Sequence, residues 1–290
     1  MGKLNDEFDG KLSLAIDIFN FKYESKPFLS QLISSQLDMD RLDYLRRDSF
    51  YSGVTEGSVN SERLLTMLNV KDDQLVVDAK GIYSVEKFLV ARRLMYWQVY
   101  MHKTVLSAEF MLVNILKRAK HLASQGITLP GTIALKHFLN ADYSWNEFEE
   151  NPAVLEKFVL LDDYDVMSAI KDWTNHSDTI LSELSKRVTD RNLLKIRLQA
   201  EPFAPEVSAR IGQAIKSQYG FSHGEEQYMY IEAKVKNHAY NNKKGHINLL
   251  YKDGHISDIS QAADQMTIKA LSEPVERHFI CFPRELKDLL

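Results

Sequence analysis

The stretch Leu-Asp-Met-Asp-Arg-Leu-Asp-Tyr-Leu-Arg-Arg-Asp, residues 37–48, decides the fold of this sequence. Asp38 is a favourable residue for capping the start of a helix, and neither Gly nor Pro follows it until Gly53. Gly is the residue that most readily ends a helix. The sequence therefore predicts a helix from about Met39 to Phe50.

One side of this predicted helix is polar. Asp40, Tyr44, Arg47 and Asp48 follow one another at steps of four, three and one, so they share a face. Two carboxylates and a phenol along one face can hold a metal ion, a sugar ring and a hydroxyl group in sequence. On spacing alone, a surface helix with Asp–Arg pairs is the better-supported alternative.

A second polar stripe lies on a longer predicted helix. Residues 85–124 contain neither Gly nor Pro, which predicts one helix of about forty residues. Within it, Arg92, Tyr96, Tyr100 and Lys103 fall at steps of four, four and three. Such a face suits an anionic ligand with a flat ring, because Arg and Lys bind phosphate oxygens. The same residues also suit the edge of a core, where Tyr and Lys reach towards solvent.

The pattern changes near residues 190–200. Before them the chain is mainly helical, with one predicted hairpin in which 74–77 and 82–83 flank a turn at Gly81. Beyond them, strands and helices alternate at 193–198, 205–219, 227–235, 247–251, 259–271 and 277–282. The sequence predicts a mainly α fold, with a helical domain over 1–195 followed by a small α+β domain over 196–290.

Composition excludes several classes of protein. A net charge of −4 and a pI near 6.2 give no whole-chain attraction to nucleic acid. The single cysteine, Cys281, excludes an intramolecular disulfide, and its apolar neighbours predict a buried strand position. No apolar run is long enough for a membrane span and the N-terminus has no apolar signal core, so a cytoplasmic location is expected.

Together, the register of residues 38–48 and the run from Glu86 to Lys103 resemble the deoxynucleoside triphosphate triphosphohydrolase branch of the HD phosphohydrolases. The resemblance begins at the first residues and extends more loosely to the C-terminus. It implies that 1–195 are an HD-type helical domain without its N-terminal metal-binding helices, and that 196–290 are the α+β extension of that family. The implied activity is metal-dependent hydrolysis of a deoxynucleoside triphosphate to deoxynucleoside and triphosphate.

The resemblance also implies a role for Asp40. This residue matches the final metal-coordinating aspartate of the family, which makes it the candidate metal ligand and catalytic residue. The implied cofactor is a divalent ion such as Mn²⁺, Mg²⁺ or Fe²⁺, which would activate water and neutralise phosphate charge.

Further side chains are implied to face the substrate: Arg41, Tyr44, Asp48, Arg92, Tyr96, Tyr100 and Lys103. Arg41 and Arg92 match phosphate-binding positions. Tyr44 matches the tyrosine that packs against the deoxyribose, and Asp48 the carboxylate that accepts a hydrogen bond from the 3′-hydroxyl. Tyr100 matches a second tyrosine close to the sugar.

The resemblance implies partners as well. The expected ligand is a nucleotide substrate, and Lys103 lies where basic residues of some relatives contact a regulatory nucleotide. A homo-oligomer is expected on the same ground. Neither a membrane nor a specific nucleic acid is an expected partner.

One departure from the family pattern is large. The His…His-Asp set that supplies the other metal ligands lies upstream of the polar helix in the family, yet no His precedes Asp38 and none of the nine histidines is followed by Asp. One carboxylate cannot hold a catalytic divalent ion alone. The expectation is therefore a truncated, inactive form of a longer hydrolase. The alternatives are a catalytically dead nucleotide-binding or scaffold module, and a phosphohydrolase that acts on other nucleotide phosphoesters.

Overall fold

The computed structural model describes residues 2–237, 239–241, 245–262 and 274–289. The α-helices are α1 (Gly2–Glu7), α2 (Ser13–Phe19), α3 (Phe28–Ile33), α4 (Met39–Ser52), α5 (Ser61–Met67), α6 (Ile82–Met95), α7 (Lys103–Ser124), α8 (Ile133–Asn140), α9 (Trp145–Glu150), α10 (Pro152–Phe158), α11 (Asp163–Trp173), α12 (Thr179–Thr189) and α13 (Pro205–Tyr219). The strands are β1 (Leu68–Lys71), β2 (Gln74–Asp78), β3 (Lys195–Gln199), β4 (Ile231–Asn237), β5 (Asn248–Leu250), β6 (Ile256–Asp258) and β7 (Val275–Phe282). The protein is mainly helical, with small sheets, as the sequence predicts.

Contacts divide the chain into two compact units that alternate along the sequence. The first unit combines Met1–His102 with Lys236–Glu276, and the second combines Lys103–Val235 with Arg277–Leu290. These units do not follow the domain boundary expected near residue 195, and that boundary stays a prediction.

Helix α4 forms as the sequence predicts. The Asp38 side chain accepts a hydrogen bond from the Arg41 amide at 2.8 Å, which satisfies a free donor at the helix start. At the other end, Gly53 takes a left-handed conformation with φ 72°. Leu42 and Leu45 are buried in the core of the first unit, so the rotation of the helix is fixed.

The long predicted helix is interrupted, so the prediction of one continuous helix over 85–124 is wrong. Helix α6 ends at Met95, and Tyr96–Tyr100 form a π-helical turn before α7 begins at Lys103. The Met101 amide donates to the Tyr96 carbonyl oxygen at 2.7 Å, five residues back. Neither Gly nor Pro marks this break, and the boundary between the two units falls at the same place.

The predicted hairpin is also wrong in register. Strands β1 and β2 pair around a turn at Asp72 and Asp73, whose φ angles are 51° and 56°. Asp tolerates this left-handed region better than most residues. The predicted turn at Gly81 instead belongs to a 3₁₀ turn that leads into α6. A Cβ atom at Gly81 would lie 2.9 Å from the Met67 Cβ atom, so this glycine permits close packing.

The first unit contains a mixed four-stranded sheet in the order β1-β2-β5-β6. Strand β2 pairs in parallel with β5, where Val77 lies beside Leu249, and β5 pairs antiparallel with β6. The hairpin is therefore part of a larger sheet and not an isolated element of the helical region. Val77 and Leu249 are both in the core that packs against α4 and α6.

The second unit contains a three-stranded sheet in the order β3-β7-β4. Strands β3 and β7 are antiparallel, with Ile196 opposite Cys281. The predicted helix 205–219 and the strand positions near 193–198 and 277–282 are confirmed. Cys281 is buried, and burial raises the pKa of its thiol to about 12. The predicted helix 259–271 begins as a 3₁₀ turn at Ile259–Gln261, and its remainder lies largely outside the described residues.

Among the described helices, none is long and apolar enough to cross a membrane.

Gly57 is a sensitive packing position of the first unit. A Cβ atom there would lie 2.4 Å from the Met95 Sδ atom and 2.9 Å from the Ser49 Cβ atom. We expect Gly57→Ala to lower the free energy of unfolding by about 1–3 kcal/mol, because both neighbours are buried. Denaturant unfolding followed by circular dichroism measures this change. Gly212→Ala is the control, since its new Cβ would meet the Glu226 Cγ atom at an ordinary 3.6 Å; an equal loss in both variants would contradict the packing argument.

Candidate functional site

The two polar stripes meet within the first unit, where α4 packs against α6 and its π-helical turn. The Tyr100 hydroxyl donates a hydrogen bond to the Asp48 Oδ2 atom at 2.6 Å. The Tyr44 and Tyr100 rings lie edge to face, with their centroids 6.0 Å apart. Both rings are half-buried and pack against the core of this unit. Phenol, phenol and carboxylate therefore form one continuous polar surface.

Arg92 continues this surface from α6. Its guanidinium carbon lies 5.6 Å from the centroid of the Tyr96 ring, and Tyr96 packs edge to face on Tyr100 at 5.1 Å. The guanidinium also lies near enough to the Tyr44 hydroxyl to lower the pKa of that phenol, and its Nη1 atom donates to the Ala239 carbonyl oxygen at 3.1 Å. The Arg92 Nε atom is buried and has no hydrogen-bond partner within the described part of the chain. The polar cluster formed by Tyr44, Asp48, Arg92, Tyr96 and Tyr100 therefore contains a buried donor that no described acceptor satisfies.

Burial controls the protonation of the two central phenols. It raises the pKa of Tyr44, and the nearby Tyr96 adds to the effect, while Arg92 and Arg41 oppose it. Burial also raises the pKa of Tyr100, and the hydrogen bond to Asp48 raises it further. Both hydroxyl groups are therefore protonated at neutral pH, so Tyr100 acts as a donor to the Asp48 carboxylate.

Arg41 is held at the start of α4. Its Nη1 atom donates to the Ser35 carbonyl oxygen and lies 3.7 Å from the Asp38 Oδ2 atom. Asp38 is almost completely buried and also accepts from the Ser35 amide at 2.8 Å. The guanidinium is close enough to Tyr44 to lower the pKa of that phenol. The phosphate-binding role of Arg41 stays a prediction.

Two predicted site residues lie outside the contacts of the cluster. Asp40 is an exposed residue in the first turn of α4. Lys103 is exposed and is the first residue of α7, in the second unit. Among the described residues, no group of three or more His, Cys, Asp or Glu side chains could hold a metal ion. The described residues therefore do not fit a divalent-metal centre.

The sequence did not point to the segment that supports Arg92. Tyr240, next to Ala239, is fully buried and donates its hydroxyl hydrogen to the Asp258 Oδ2 atom. Asp258 also accepts from the Ser260 amide at 2.9 Å and pairs with His246 Nδ1 at 2.9 Å. Burial alone raises the pKa of Asp258, but these hydrogen bonds lower it overall. A backbone acceptor 147 residues from Arg92 leaves no periodic signal in the sequence.

Comparison with known proteins gives the family. Residues 59–129 match the family described as HD associated region. The crystal structure of a phosphohydrolase from Bacteroides thetaiotaomicron is 47% identical, with a TM-score of 0.91, and the match covers 98% of this chain and 70% of that one. The chain belongs to the HD phosphohydrolase family.

Other relatives are matched over shorter lengths. An uncharacterized Bacillus subtilis protein, YwfO, is 38% identical over 173 residues, which cover 60% of this chain and 38% of that protein. A deoxynucleoside triphosphate triphosphohydrolase SAMHD1 homolog of Dictyostelium discoideum is 29% identical over 120 residues, covering 39% of this chain and 23% of that protein. The chain thus matches less than half the length of these two relatives.

The raised pKa of Tyr100 predicts a pH dependence of stability. In the unfolded chain this phenol ionises near its usual pKa, whereas the folded protein keeps it protonated to higher pH. Stability is therefore retained below about pH 10 and falls above it, by at most about 1.4 kcal/mol per pH unit for one group. We expect Tyr100→Phe to be less stable than wild type by about 1.5 kcal/mol at pH 7, with the difference shrinking above pH 10.

Urea unfolding at pH 7, 9, 10 and 11 measures this convergence. Tyr83→Phe, which removes an exposed hydroxyl from the same unit, is the matched control and should follow the wild-type profile. A Tyr100→Phe difference that stays constant from pH 7 to pH 11 would contradict the assignment.

Proposed function

We propose that this chain carries the substrate-binding surface of an HD phosphohydrolase that hydrolyses deoxynucleoside triphosphates to deoxynucleoside and triphosphate. The observation that carries the proposal is the single cluster formed by Tyr44, Asp48, Arg92, Tyr96 and Tyr100. A phenol, a carboxylate and a guanidinium in contact match the three parts of such a ligand: sugar ring, sugar hydroxyl and phosphate. The Dictyostelium relative named as a triphosphohydrolase supports the same substrate class.

The chemistry of each group supports this assignment. A guanidinium offers planar paired donors to phosphate oxygens, and Arg92 has one buried donor, Nε, without a partner in the described residues. Arg41 adds positive charge near Tyr44. Asp48 holds one carboxylate oxygen against Tyr100, so a sugar hydroxyl can donate to the same carboxylate. The protonated Tyr44 presents its ring edge beside Tyr100, which suits packing against a deoxyribose without a 2′-hydroxyl.

Hydrolysis in the HD family requires more than this surface. The family generally binds divalent metals, which activate water for attack on phosphorus. The described residues do not fit such a centre, so Asp40 by itself does not provide the activated water that cleavage needs. The same observation favours a second candidate function, a nucleotide-binding module that does not itself cleave its ligand. Hydrolysis of other nucleotide phosphoesters is a third candidate function. A comparison of the affinities for different nucleotides distinguishes it from hydrolysis of deoxynucleoside triphosphates.

A direct test measures nucleotide binding by the chain. We expect dATP or dGTP to bind, and Arg92→Gln to weaken the affinity by about tenfold or more, because a charge-assisted hydrogen bond to phosphate is lost. A 2′,3′-dideoxynucleoside triphosphate should bind about tenfold more weakly than its deoxy counterpart, because Asp48 loses its hydroxyl donor. Isothermal titration calorimetry gives both numbers.

Lys87→Gln is the control for Arg92→Gln, since it removes an exposed cation from the same helix, α6. It should bind nucleotide as the wild type does. Equal affinity for the deoxy and dideoxy ligands would show that Asp48 does not bind the 3′-hydroxyl. If both substitutions weakened nucleotide affinity equally, the loss would come from the lower net positive charge and not from a specific contact of Arg92.

A second test concerns metal and turnover. We expect this chain by itself to bind Mn²⁺ or Mg²⁺ weakly, and to release no triphosphate from dGTP, since Asp40 is the one residue of the family's ligand set matched in the sequence. Calorimetry with Mn²⁺ and a triphosphate-release assay with Mn²⁺ present measure the two outcomes. A tight stoichiometric site, or robust metal-dependent release, would show that other residues complete a metal centre.

A further inference from the structure

Negative charge is concentrated in one short segment of the second unit. Residues 142–165, here called the acidic segment, contain eight acidic residues and one basic residue, a net charge of −7, whereas the whole chain has a net charge of −4. The rest of the chain therefore has a net charge of +3. Seven of the acidic side chains are exposed: Asp142, Glu147, Glu149, Glu150, Glu156, Asp162 and Asp163.

The acidic segment also exposes large apolar side chains. Trp145 and Tyr164 are 76% and 83% exposed, and Val159 and Leu160 are 70% and 68% exposed. The Trp145 indole nitrogen donates a hydrogen bond to the Glu149 Oε1 atom at 2.8 Å, which holds a ring and a carboxylate together at the surface. Exposed apolar side chains in this number within one segment indicate an interaction surface.

Aromatic contacts hold the acidic segment in place. The Phe138 ring of α8 lies 6.1 Å from the Phe148 ring of α9 and 5.9 Å from the Phe158 ring of α10, measured between centroids. Phe148 and Phe158 pack edge to face at 5.5 Å. The exposed rings and carboxylates are therefore carried by helices packed on α8, which reduces the cost of ordering them when a partner binds.

An apolar groove of about 540 Å³ adjoins the acidic segment. Its lining includes Val113 and Leu116 of α7, Leu135 of α8 and Val166 of α11. Residues 161–163 of the acidic segment line it as well. Every described lining residue belongs to a helix or to the loop before α11, so the groove offers helix faces and no strand edge to a ligand.

The groove itself is electrically balanced, because two lysines and two aspartates line it. One of the lysines, Lys120, is paired with Asp142 at 2.8 Å. The excess of negative charge therefore comes from the remainder of the acidic segment, on α9, α10 and the adjoining loops. Within this segment, Glu150 and Asp163 form no ion pair with another described residue, so both carboxylates are available to the cations of a ligand.

We propose that this surface binds a basic amphipathic helix of a partner protein. The apolar face of that helix lies in the groove, as amphipathic helices do in hydrophobic grooves, and its cations face the acidic segment. Charge separates this partner from other occupants. A second copy of the chain would place one acidic segment against another, and nucleic acid or an anionic membrane would place phosphates there. The interaction is independent of the proposed nucleotide site, which lies in the first unit.

Fluorescence anisotropy of a labelled synthetic helix tests the proposal on the full chain. The probe carries Leu on one face and Lys on the other. We expect it to bind, and to bind more weakly as salt is added. The same peptide with Glu in place of Lys should not bind, and the peptide with Gln in place of Leu should lose at least about tenfold in affinity. Failure of the Lys–Leu peptide to bind, or equal binding of the Lys–Gln peptide, would overturn the proposal.

A substitution in the groove locates the binding site. Val113 is 39% exposed and lines the groove, so Val113→Asn should keep the wild-type circular dichroism spectrum. It should weaken peptide binding by about fivefold or more, because a polar amide then enters the apolar interface. Val70→Asn is the matched control, since Val70 is 41% exposed but belongs to the first unit. Equal affinities of the two variants would place the peptide elsewhere and overturn the proposal.

A charge substitution gives an independent readout. The double variant Glu150→Gln/Asp163→Asn should weaken binding by about tenfold at low salt, because two carboxylates facing the peptide are lost. Glu56→Gln/Glu62→Gln changes the net charge equally at two exposed positions of the first unit, so it should bind like wild type. Equal weakening by both double variants would show attraction to net charge alone and overturn the proposal. Sedimentation velocity showing a dimer that Val113→Asn breaks would overturn it as well, since the groove would then bind a second copy.

Discussion

The buried Asp38 carboxylate is the contact on which the arrangement of the first unit depends. It accepts hydrogen bonds from the amides of Arg41 and Ser35, and the Arg41 guanidinium lies close to it. A buried carboxylate without such donors would cost several kcal/mol, so these contacts fix where α4 begins. Because the start and the rotation of α4 are fixed, Tyr44 and Asp48 can point only to the side where α6 lies.

The charged side chains of the resulting polar cluster already have partners within the protein. Arg92 lies against the Tyr96 ring and the Ala239 carbonyl oxygen, and Tyr100 donates to the Asp48 carboxylate. Each ionised group therefore has a partner before any ligand arrives, which makes a half-buried charged site tolerable. The proposed nucleotide would compete with these internal contacts, at side chains that are already ordered. Such preorganisation reduces the free energy that binding spends on ordering side chains.

The parts of this structure that could be predicted from sequence are the local ones. The cap at Asp38 and the left-handed end at Gly53 involve residues within a few positions of each other, so residue preference is enough to find them. The spacing of Tyr44, Asp48 and Tyr100 likewise places them on helix faces. What spacing could not give is whether those faces meet, which required the resemblance to a family.

Other features depend on distant contacts or on uncommon backbone choices. The turn of the hairpin lies at Asp72 and Asp73. These two aspartates adopt the left-handed conformation that was expected of Gly81. The π-helical turn over Tyr96–Tyr100 contains neither Gly nor Pro, and it lies just before the residue at which the first compact unit gives way to the second. Residue preference permits left-handed aspartates without selecting this position. No residue marks the π-helical turn, and nothing local encodes the support that Ala239 gives to Arg92.

The parallel pairing of β2 with β5 has a consequence for how the chain is made. Val77 lies beside Leu249, so the central pair of this sheet closes only after more than half of the chain has followed β2 out of the ribosome. Long-range parallel pairing is slow to form, because the loop between the strands must be ordered first. Residues 103–235, which contain most of the second unit, are complete before that closure. Synthesis order therefore lets the helices of residues 103–235 pack first, while the sheet of each unit waits for a later strand: β5 in the first unit, and the central strand β7 in the second.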